Sequence, residues 1–299
     1  GPNPRTINLT GGGQLPNLIL NAPNVTTNGP ATGTVIGDGS FTLESGSFSG
    51  GAGDLNVVNF TIAGGSFTAP TGTMFVGGNW THTVGGTFNA NAGTVVFDSG
   101  TDTIDVLGAE TFNNLTFANG TKTIALGDAL IAEGTLTLTD GSINTGTVNA
   151  RGNIIQASTF DGGSGLLVID GTGNQTFTGT AAIDFGDLPD VTINKLTGTL
   201  TLDGTMRIDG HGAGAWTYTT GTLDAGTSTV IFNGTNTITG SHTLYNVTIE
   251  SGTQTINLGD TLTASGTLTL LDGNIKVASV HIQLAQLSQR LKICFNFGF

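Results

Sequence analysis

The stretch "GTKTIALGDALIAEGTLTLTDGSI" at Gly120–Ile143 returns almost unchanged as "GTQTINLGDTLTASGTLTLLDGNI" at Gly252–Ile275. The longer segments Thr111–Ile143 and Thr243–Ile275 align without a gap, and 20 of their 33 positions are identical. The offset between the two segments is constant, so each position of the second has one counterpart in the first. A repeat of this length indicates a stacked architecture, because a stacked unit needs a similar neighbour to bury its apolar side.

The rest of the chain alternates apolar residues with Thr or Ser, as in "GTVVFDSG" at 93–100 and "HTLYNVTIESG" at 242–252. Alternation with a period of two, in β-branched residues bounded by Gly, Asn or Asp, is typical of short strands. The dipeptides DG, NG, GG and SG supply the positive-φ positions that tight corners require. The sequence therefore predicts an all-β protein made of many short strands.

The spacing of related segments favours a parallel β-helix, that is, a β-solenoid, and we expect it to be right-handed. Related threonines recur at intervals of 14 to 20 residues, for example Thr121 and Thr135 or Thr235 and Thr253. At roughly 18 residues a coil, the chain would form about 16 coils. An antiparallel β-sandwich pair is the runner-up, because turn signals every 8–12 residues also fit that fold. A sandwich, however, does not need near-identical sequence at a distance.

The composition excludes several classes of protein. Only 10% of the residues are charged and 37% are hydrophobic, which is the opposite of a disordered chain. The net charge of −13 argues against binding to nucleic acid phosphates or to anionic lipid. No apolar run approaches the ~18–20 residues that span a bilayer. The single cysteine, Cys294, excludes a disulfide framework within the chain.

A resemblance to a known class of protein follows from the quoted repeats and from "VGGNWTHTVGGTFNANAGTVVFDSGTDTI" at 76–104. These segments resemble the Gly/Thr/Asn-rich β-helical repeats of bacterial surface and secreted proteins of the filamentous-haemagglutinin and autotransporter-passenger kind. The resemblance covers residues 12–275. It implies a secreted or cell-surface fibre, stalk or adhesive rod, and it carries over no catalytic residue.

Two groups of carboxylates are the candidates for chemistry on such a fold. They are Asp98, Asp102 and Asp105 in "DSGTDTID", and Asp184, Asp187 and Asp190 in "DFGDLPD". Clustered carboxylates on one face would suit a polysaccharide lyase or hydrolase. Most acidic residues here stand beside Gly at predicted corners, however, where Asp commonly bonds its own backbone. We therefore expect that the protein is not an enzyme and has no cofactor. Calcium is the one alternative to the absence of a cofactor.

Histidine and outward-facing threonine are two further candidates for sites. The histidines show no metal-ligand spacing with a second His or Cys, and they are His82, His211, His242 and His281. Outward T-x-T pairs could form flat threonine ranks that match ice or a crystalline carbohydrate, and they are Thr81/Thr83, Thr101/Thr103, Thr121/Thr123, Thr235/Thr237 and Thr253/Thr255. A flat rank needs a constant coil length, whereas the steps between these pairs vary. A carbohydrate- or ice-surface binder is thus the alternative function, and a polysaccharide-degrading enzyme the second alternative.

The C-terminal end of the chain differs in style from the body. We divide the chain into a solenoid at residues 1–275 and a tail at residues 276–299. The body carries 5 − 21 = −16 charges and the tail carries +3. The tail ends in a strict alternation of apolar residues, which are Leu291, Ile293, Phe295, Phe297 and Phe299. This tail is predicted either to cap its own last coil or to add a strand to a second copy of the chain, giving a head-to-tail homopolymer.

Overall fold

The structure, a computed structural model, describes residues 5–12, 14–37, 39–209, 215–277 and 284–287. Within these ranges no helix occurs, and consecutive coils pair through parallel strands. The described residues form a β-solenoid of about 12 turns. The prediction of a parallel β-solenoid is therefore confirmed, and the β-sandwich alternative is wrong. The physical reason is the pairing: strands join their counterparts one coil away in parallel, whereas a sandwich joins antiparallel neighbours.

Contacts divide the chain into two compact units, which we describe separately. Unit 1 comprises Gly1–Thr137 and Asn144–Val148, and unit 2 comprises Leu138–Ile143 and Asn149–Phe299. The strands of unit 1 are β1 (Arg5–Asn8), β2 (Gln14–Leu15), β3 (Leu18–Asn28), β4 (Thr34–Gly37), β5 (Phe41–Ser49), β6 (Asp54–Val57), β7 (Phe60–Ile62), β8 (Gly65–Thr68), β9 (Thr73–Val76), β10 (Trp80–His82), β11 (Gly86–Asn89), β12 (Thr94–Phe97), β13 (Asp102–Asp105), β14 (Ala109–Phe112), β15 (Asn114–Phe117), β16 (Thr121–Ile124) and β17 (Ala129–Ala132).

Two strands, β18 (Leu136–Asn144) and β19 (Thr147–Ala150), contribute residues to both units. The remaining strands belong to unit 2. They are β20 (Ile154–Phe160), β21 (Leu166–Ile169), β22 (Gln175–Thr180), β23 (Asp187–Leu188), β24 (Asp190–Asp209), β25 (Ala215–Asp224), β26 (Thr229–Asn233), β27 (Asn236–Thr239), β28 (His242–Leu244), β29 (Asn246–Ile256), β30 (Leu262–Val277) and β31 (Leu284–Leu287).

The core of unit 1 is built from columns of inward side chains, one residue from each coil. The first column follows the register of five strands and is fully buried, and it consists of Phe41, Phe60, Trp80, Ile104 and Ile124. In a second column the rings of Phe48 and Phe67 stack with centroids 4.8 Å apart, and Phe67 and Phe88 follow at 5.9 Å. When the same aromatic residue recurs at one position of successive coils, the parallel pairing of the strands stacks its rings on one another.

The core of unit 2 repeats this construction with mostly aliphatic residues. One column runs through strands β21, β24, β25, β27 and β29, and it consists of Leu167, Val191, Trp216, Ile238 and Ile256. The alternation of apolar and polar residues along each strand therefore separates a dry interior from a polar outer surface.

The coils are longer and less regular than the sequence spacing suggested. The step between register partners is 20 from Phe60 to Trp80 (80 − 60), but it is 24 from Trp80 to Ile104 (104 − 80). In unit 2 the step falls to 17 between Val230 and Val247 (247 − 230). The expectation of 16 coils is accordingly wrong, because most coils are longer than the roughly 18 residues on which that count rests.

The two copies of the repeat have matching strands, as predicted. Strand β15 begins at Asn114 and β29 begins at Asn246, which is the offset between Thr111 and Thr243 (246 − 114 = 243 − 111). Leu138 is fully buried. Its counterpart Leu270 is half-buried, although it continues the inward column of Ile249. Both leucines therefore face inward, and the degree of burial differs between the copies.

The corners of the repeat depend on glycine at one position in particular. Gly120 has a φ of 73°, and a Cβ placed there would lie 1.8 Å from the carbonyl oxygen of Gly100 in the neighbouring coil. Gly252, its counterpart, has a φ of 69° and would place a Cβ 2.0 Å from the oxygen of Gly234. Glycine is required at both corners, because the backbone is left-handed and the coils stack without space for a side chain.

Candidate functional site

The first carboxylate group predicted from the sequence does not form one site. Asp102 lies on the same side of β13 as the inward Ile104, and its Oδ2 accepts a hydrogen bond of 2.5 Å from the fully buried Nζ of Lys122. Asp105 is exposed on the opposite side of the strand. Asp98 follows the end of β12 and is half-buried. Asp102 is therefore used to pair a buried cation, and the three carboxylates do not converge.

Buried lysine side chains recur at the corners of both units, where they donate to corner carbonyl oxygens of the neighbouring coil. Lys122 Nζ donates to the carbonyl oxygens of Ser99 and Gly100. In unit 2, Lys195 Nζ donates to Gly171 O at 2.5 Å and to Gly173 O at 2.9 Å. These contacts matter because a buried carbonyl without a partner costs free energy comparable to a lost hydrogen bond.

The amide side chains at related corners bind the backbone in the same way. Gln254 Nε2 donates to Gly234 O at 2.8 Å, and Asn236 Nδ2 donates to Asn233 O at 2.7 Å. At the variable position of the G-T-x-T-I motif, Lys122, Asn236 and Gln254 therefore each donate to a corner carbonyl oxygen, whereas Asp102 accepts from Lys122. The motif tolerates these different polar side chains because each finds a hydrogen-bond partner at a corner.

The second carboxylate group belongs to a non-repetitive feature of unit 2, the loop at residues 181–187. Asp187 pairs with the guanidinium Nη1 of Arg207, whose Nε donates to Glu250 Oε2 at 2.6 Å. Glu250 Oε1 in turn accepts a hydrogen bond of 2.9 Å from the backbone N–H of Asp184. Asp190 is the first residue of β24. The loop is thus fixed to strands β24 and β29 by the ion triad Asp187–Arg207–Glu250, of which Arg207 and Glu250 are buried and Asp187 is half-buried.

Near this loop, which we call the outer-face loop, the alternation of buried inward residues and exposed outward residues is interrupted. Arg207, Ile231 and Thr248 are register partners on the outward side of β24, β26 and β29, yet all three are buried. At the loop itself, Phe185 remains 63% exposed. The hydrogen bonds to Arg207 and Glu250 place the loop against this part of the outer face. Outward side chains that would be exposed to solvent elsewhere are therefore buried here.

The ion triad shifts the titration of its central residue. The pKa of Arg207 is raised, because the hydrogen bonds and charges of Glu250 and Asp187 outweigh the opposing and largest single effect, which is burial. The guanidinium is therefore charged at any ordinary pH. Sequence reasoning named Asp184 and Asp187 but missed Arg207 and Glu250, because the partners lie 20 and 43 residues apart in different coils.

A buried acid–base pair lies in the core of unit 1. Glu110 points inward from β14, and its Oε2 lies 2.6 Å from Nδ1 of His82 on β10. The indole of Trp80 is buried on the same strand as His82. Burial raises the pKa of Glu110, although the hydrogen bond and charge of His82 act in the opposite direction. Sequence reasoning took His82 for an isolated residue and did not select Glu110.

Unit 2 contains a related inward histidine. His242 Nε2 accepts a hydrogen bond of 2.9 Å from the indole Nε1 of Trp216, and its Nδ1 lies 2.7 Å from Gly240 O. One ring nitrogen therefore accepts and the other donates, which is the pattern of a neutral imidazole. Burial lowers the pKa of His242 and favours the same neutral form. His211, His281 and Cys294 lie outside the described residues.

The bond predicted for Asp beside Gly, to its own turn, occurs at Asp140, whose Oδ1 accepts from Gly141 N at 2.7 Å. Other acidic residues accept from backbone N–H groups at corners of the neighbouring coil. Thr73 N donates to Asp54 Oδ1 at 2.7 Å. Val106 N and Gly108 N both donate to the carboxylate of Asp128, at 2.7 Å and 3.1 Å. These bonds join neighbouring coils, so the carboxylates stabilise the stacking as well as the turn.

The T-x-T pairs do not share one continuous rank in the described residues. In unit 1, Thr81 stands in register with Thr61 and with Asp105. In unit 2, Thr237 and Thr255 are partners, but the next positions in the column are Ala215 and Lys276. Threonine columns are therefore interrupted, as by Asp105 after Thr42, Thr61 and Thr81.

The predicted self-assembly residues Leu291, Ile293, Phe295, Phe297 and Phe299 lie outside the described residues. In the part of the chain that is described, no three His, Cys, Asp or Glu side chains form a group that could hold a metal ion. No helix in that part is long and apolar enough to cross a bilayer. Calcium binding and self-assembly through the tail both stay predictions.

Comparison with known proteins adds no relative to this picture. No protein-family model, curated protein or solved structure matches the chain.

Proposed function

We propose that this protein is a non-catalytic structural component outside the cell, a fibre, stalk or adhesive rod. The proposal includes assembly of copies head to tail through the C-terminal row Leu291–Phe299. The observation that carries it is the use made of the polar residues. The side chains best suited to chemistry, Asp102, Lys122 and Asp187 among them, bond to neighbouring coils and hold the stack together.

The charge distribution supports the same function. Three of the six Lys and Arg side chains in the described residues are buried, and they are Lys122, Lys195 and Arg207. Glu110 and Glu250 are buried as well, so the outer surface keeps the acidic balance of the composition. An acidic body of −16 and a tail of +3 would attract each other between copies, which steers a head-to-tail encounter. A head-to-tail contact that does not close produces a filament.

The assembly is tested by electron microscopy and light scattering of the full chain beside two variants. Phe295→Ser with Phe297→Ser disrupts the C-terminal apolar row, whereas Phe185→Ser replaces an exposed Phe in the outer-face loop and is the matched control. We expect filaments from the wild type and from the control, and single particles from the double variant. Single particles from the wild type at every concentration would contradict assembly through the tail.

The non-catalytic assignment has its own test, which does not depend on assembly. The protein is incubated with a panel of acidic and neutral polysaccharides, and reducing ends or unsaturated products are measured over time. We expect no turnover. Turnover that disappears in Asp98→Asn with Asp105→Asn would show an enzyme instead. These two positions are chosen because Asp102 pairs with buried Lys122, so its replacement would also destabilise the fold.

A further inference from the structure

We propose that Asn119–Gly120 is a site of spontaneous covalent modification, at which the Asn119 side chain deamidates to aspartate and isoaspartate. The described chain contains two other Asn–Gly pairs, Asn28–Gly29 and Asn233–Gly234. The three pairs differ in the hydrogen bonds made by the Asn side chain and by the N–H of the following Gly. Among these three pairs, only the one at residue 119 has both reacting groups open.

The geometry at Asn119 leaves the reacting atoms available. Asn119 is exposed in the corner between β15 and β16. Among the described residues, no hydrogen bond engages its side chain or the N–H of Gly120. Gly120 has no side chain to shield its own nitrogen, and its φ is 73°. The amide carbon and the following backbone nitrogen are thus free to approach each other.

The chemistry needs no group beyond the two residues and water. The backbone nitrogen of Gly120 attacks Cγ of Asn119, a new N–C bond closes a five-membered imide, and the Cγ–Nδ2 bond breaks. The proton from the Gly120 nitrogen leaves with the departing amide as ammonia. Water then opens the imide at either carbonyl and gives aspartate or isoaspartate. The reaction is fast only where the nucleophile and the carbon are already adjacent and unrestrained.

Asn233–Gly234 is an internal control, because the same dipeptide is restrained there. Asn233 Nδ2 donates to Asp209 Oδ1 at 2.8 Å, and its Oδ1 accepts a hydrogen bond of 2.6 Å from Ser251 Oγ. The nucleophile is engaged as well, since Gly234 N donates to Ser251 Oγ at 3.1 Å. All of these bonds would have to break before the imide could form.

Asn28–Gly29 is held in a comparable way. Asn28 Nδ2 donates to Asn8 Oδ1 at 2.8 Å, and Gly29 N donates to Ser49 O at 2.7 Å. The backbone nitrogen is therefore engaged with the next coil. Protection at this site comes from coil stacking, whereas at Asn233 it depends mainly on one serine.

The modification would change a corner that has no spare room. It adds a negative charge, and isoaspartate also lengthens the backbone by one carbon atom. Gly120 stacks directly over Gly100, whose carbonyl oxygen accepts a hydrogen bond from buried Lys122. Deamidation therefore places a new carboxylate beside the corner that Lys122 caps. Where the product is isoaspartate, the backbone at this corner is also longer.

The test follows the three sites by peptide mass mapping of the native full chain during incubation in mildly alkaline buffer. The chain in denaturant sets the intrinsic rate of each site. We expect Asn119 to react in the native protein at close to its denatured rate. Asn233 and Asn28 should be slower in the native protein by about ten- to a hundredfold, since their hydrogen bonds must first be broken.

Two variants make the assignment decisive. Asn119→Gln should remove the early mass increase, because the glutamine side chain is one carbon longer and cannot close the five-membered ring. Ser251→Ala should speed the reaction at Asn233 in the native protein and leave Asn119 unchanged. The proposal is overturned if native Asn119 is protected as strongly as Asn233, or if Ser251→Ala leaves Asn233 equally protected.

Discussion

The two copies of the repeat share their corner bonds but differ in the polar side chains that face inward. Thr135 N donates to Asn114 Oδ1 at 2.8 Å in the first copy, and Thr267 N donates to Asn246 Oδ1 at 3.0 Å in the second. Asp128 and Asp260 likewise accept from the N–H groups of two glycines at equivalent positions, Gly108 and Gly240. The bonds that define the coil are therefore repeated along with the sequence.

The difference lies one residue before the aligned segments. Glu110 and His242 occupy equivalent positions (242 − 110 = 243 − 111), and both point inward near a tryptophan. Glu110 pairs with the ionisable side chain of His82, whereas His242 is held by an indole N–H and a backbone carbonyl. A coil therefore accepts either an acid or a base at this position, provided that another coil supplies its partner.

Removing the partner of Glu110 should have the largest effect. His82→Leu leaves a buried carboxyl group without its partner, and we expect a loss of ~3–5 kcal/mol in the free energy of unfolding. Denaturant unfolding followed by tryptophan fluorescence measures the loss. The double variant His82→Leu with Glu110→Leu should recover much of it, because no buried charge is then left unpaired. A single variant as stable as the wild type would show that the pair contributes nothing.

Shortening the equivalent leucines should separate the two copies. Leu138→Ala should cost ~2–5 kcal/mol, because it opens a cavity in a fully buried column. Leu270→Ala should cost less, since Leu270 is only half-buried in the structure. Both values come from chemical unfolding under identical conditions. Equal losses would mean that the second copy is packed as tightly as the first.

The two tryptophans should respond differently to loss of the indole N–H alone. Trp216→Phe removes the donor to His242 Nε2 and leaves a buried acceptor, so we expect a cost of about 1–3 kcal/mol beyond the change in ring size. Trp80 Nε1 makes no hydrogen bond of good geometry among the described residues, although the indole helps to lower the pKa of Glu110, so Trp80→Phe should cost less than Trp216→Phe. Thermal and urea unfolding of the two variants measure the difference, and equal costs would contradict the prediction.

The smallest effect should be the pH dependence, which has opposite signs at the two positions. The raised pKa of Glu110 means that the folded protein holds this proton more firmly than the unfolded chain. Its contribution is complete below the ordinary pKa of 4.5 and is lost as pH rises through the raised value. The lowered pKa of His242 has the reverse consequence. Its contribution is complete above the ordinary value of 6.5 and is lost as pH falls through the lowered pKa.

Glu110→Gln and His242→Gln test these signs separately. The first should reduce the loss of stability with rising pH, and the second should reduce the loss with falling pH, each by on the order of 1 kcal/mol. Unfolding free energies measured from mildly acidic to neutral pH give both slopes. The interpretation is wrong if either variant changes the slope in the other direction.

The sequence by itself determined the architecture and the corners. Alternation of Thr with Leu or Ile separates the two sides of each strand, and the near-copy later in the chain requires a stack. The corner position of Asp beside Gly was also readable, because the pair recurs with the motif at Asp128 and Asp260. The N–H groups from which these two carboxylates accept lie 20 residues away in the neighbouring coil, and the sequence did not show them. The position shared by Glu110 and His242 could have been found by extending the alignment by one residue.

Only the tertiary structure decided which distant side chains meet. Glu110 joins His82 from 28 residues away, and Arg207 joins Glu250 from 43 residues away. Such partners depend on the register, and the register is the sum of coil lengths that vary from 17 (247 − 230) to 26 (220 − 194). A small error in the predicted length of any one coil assigns a side chain to the wrong column. The outer-face loop at 181–187 was hidden for the same reason, because its partners lie on coils that only the folded stack brings together.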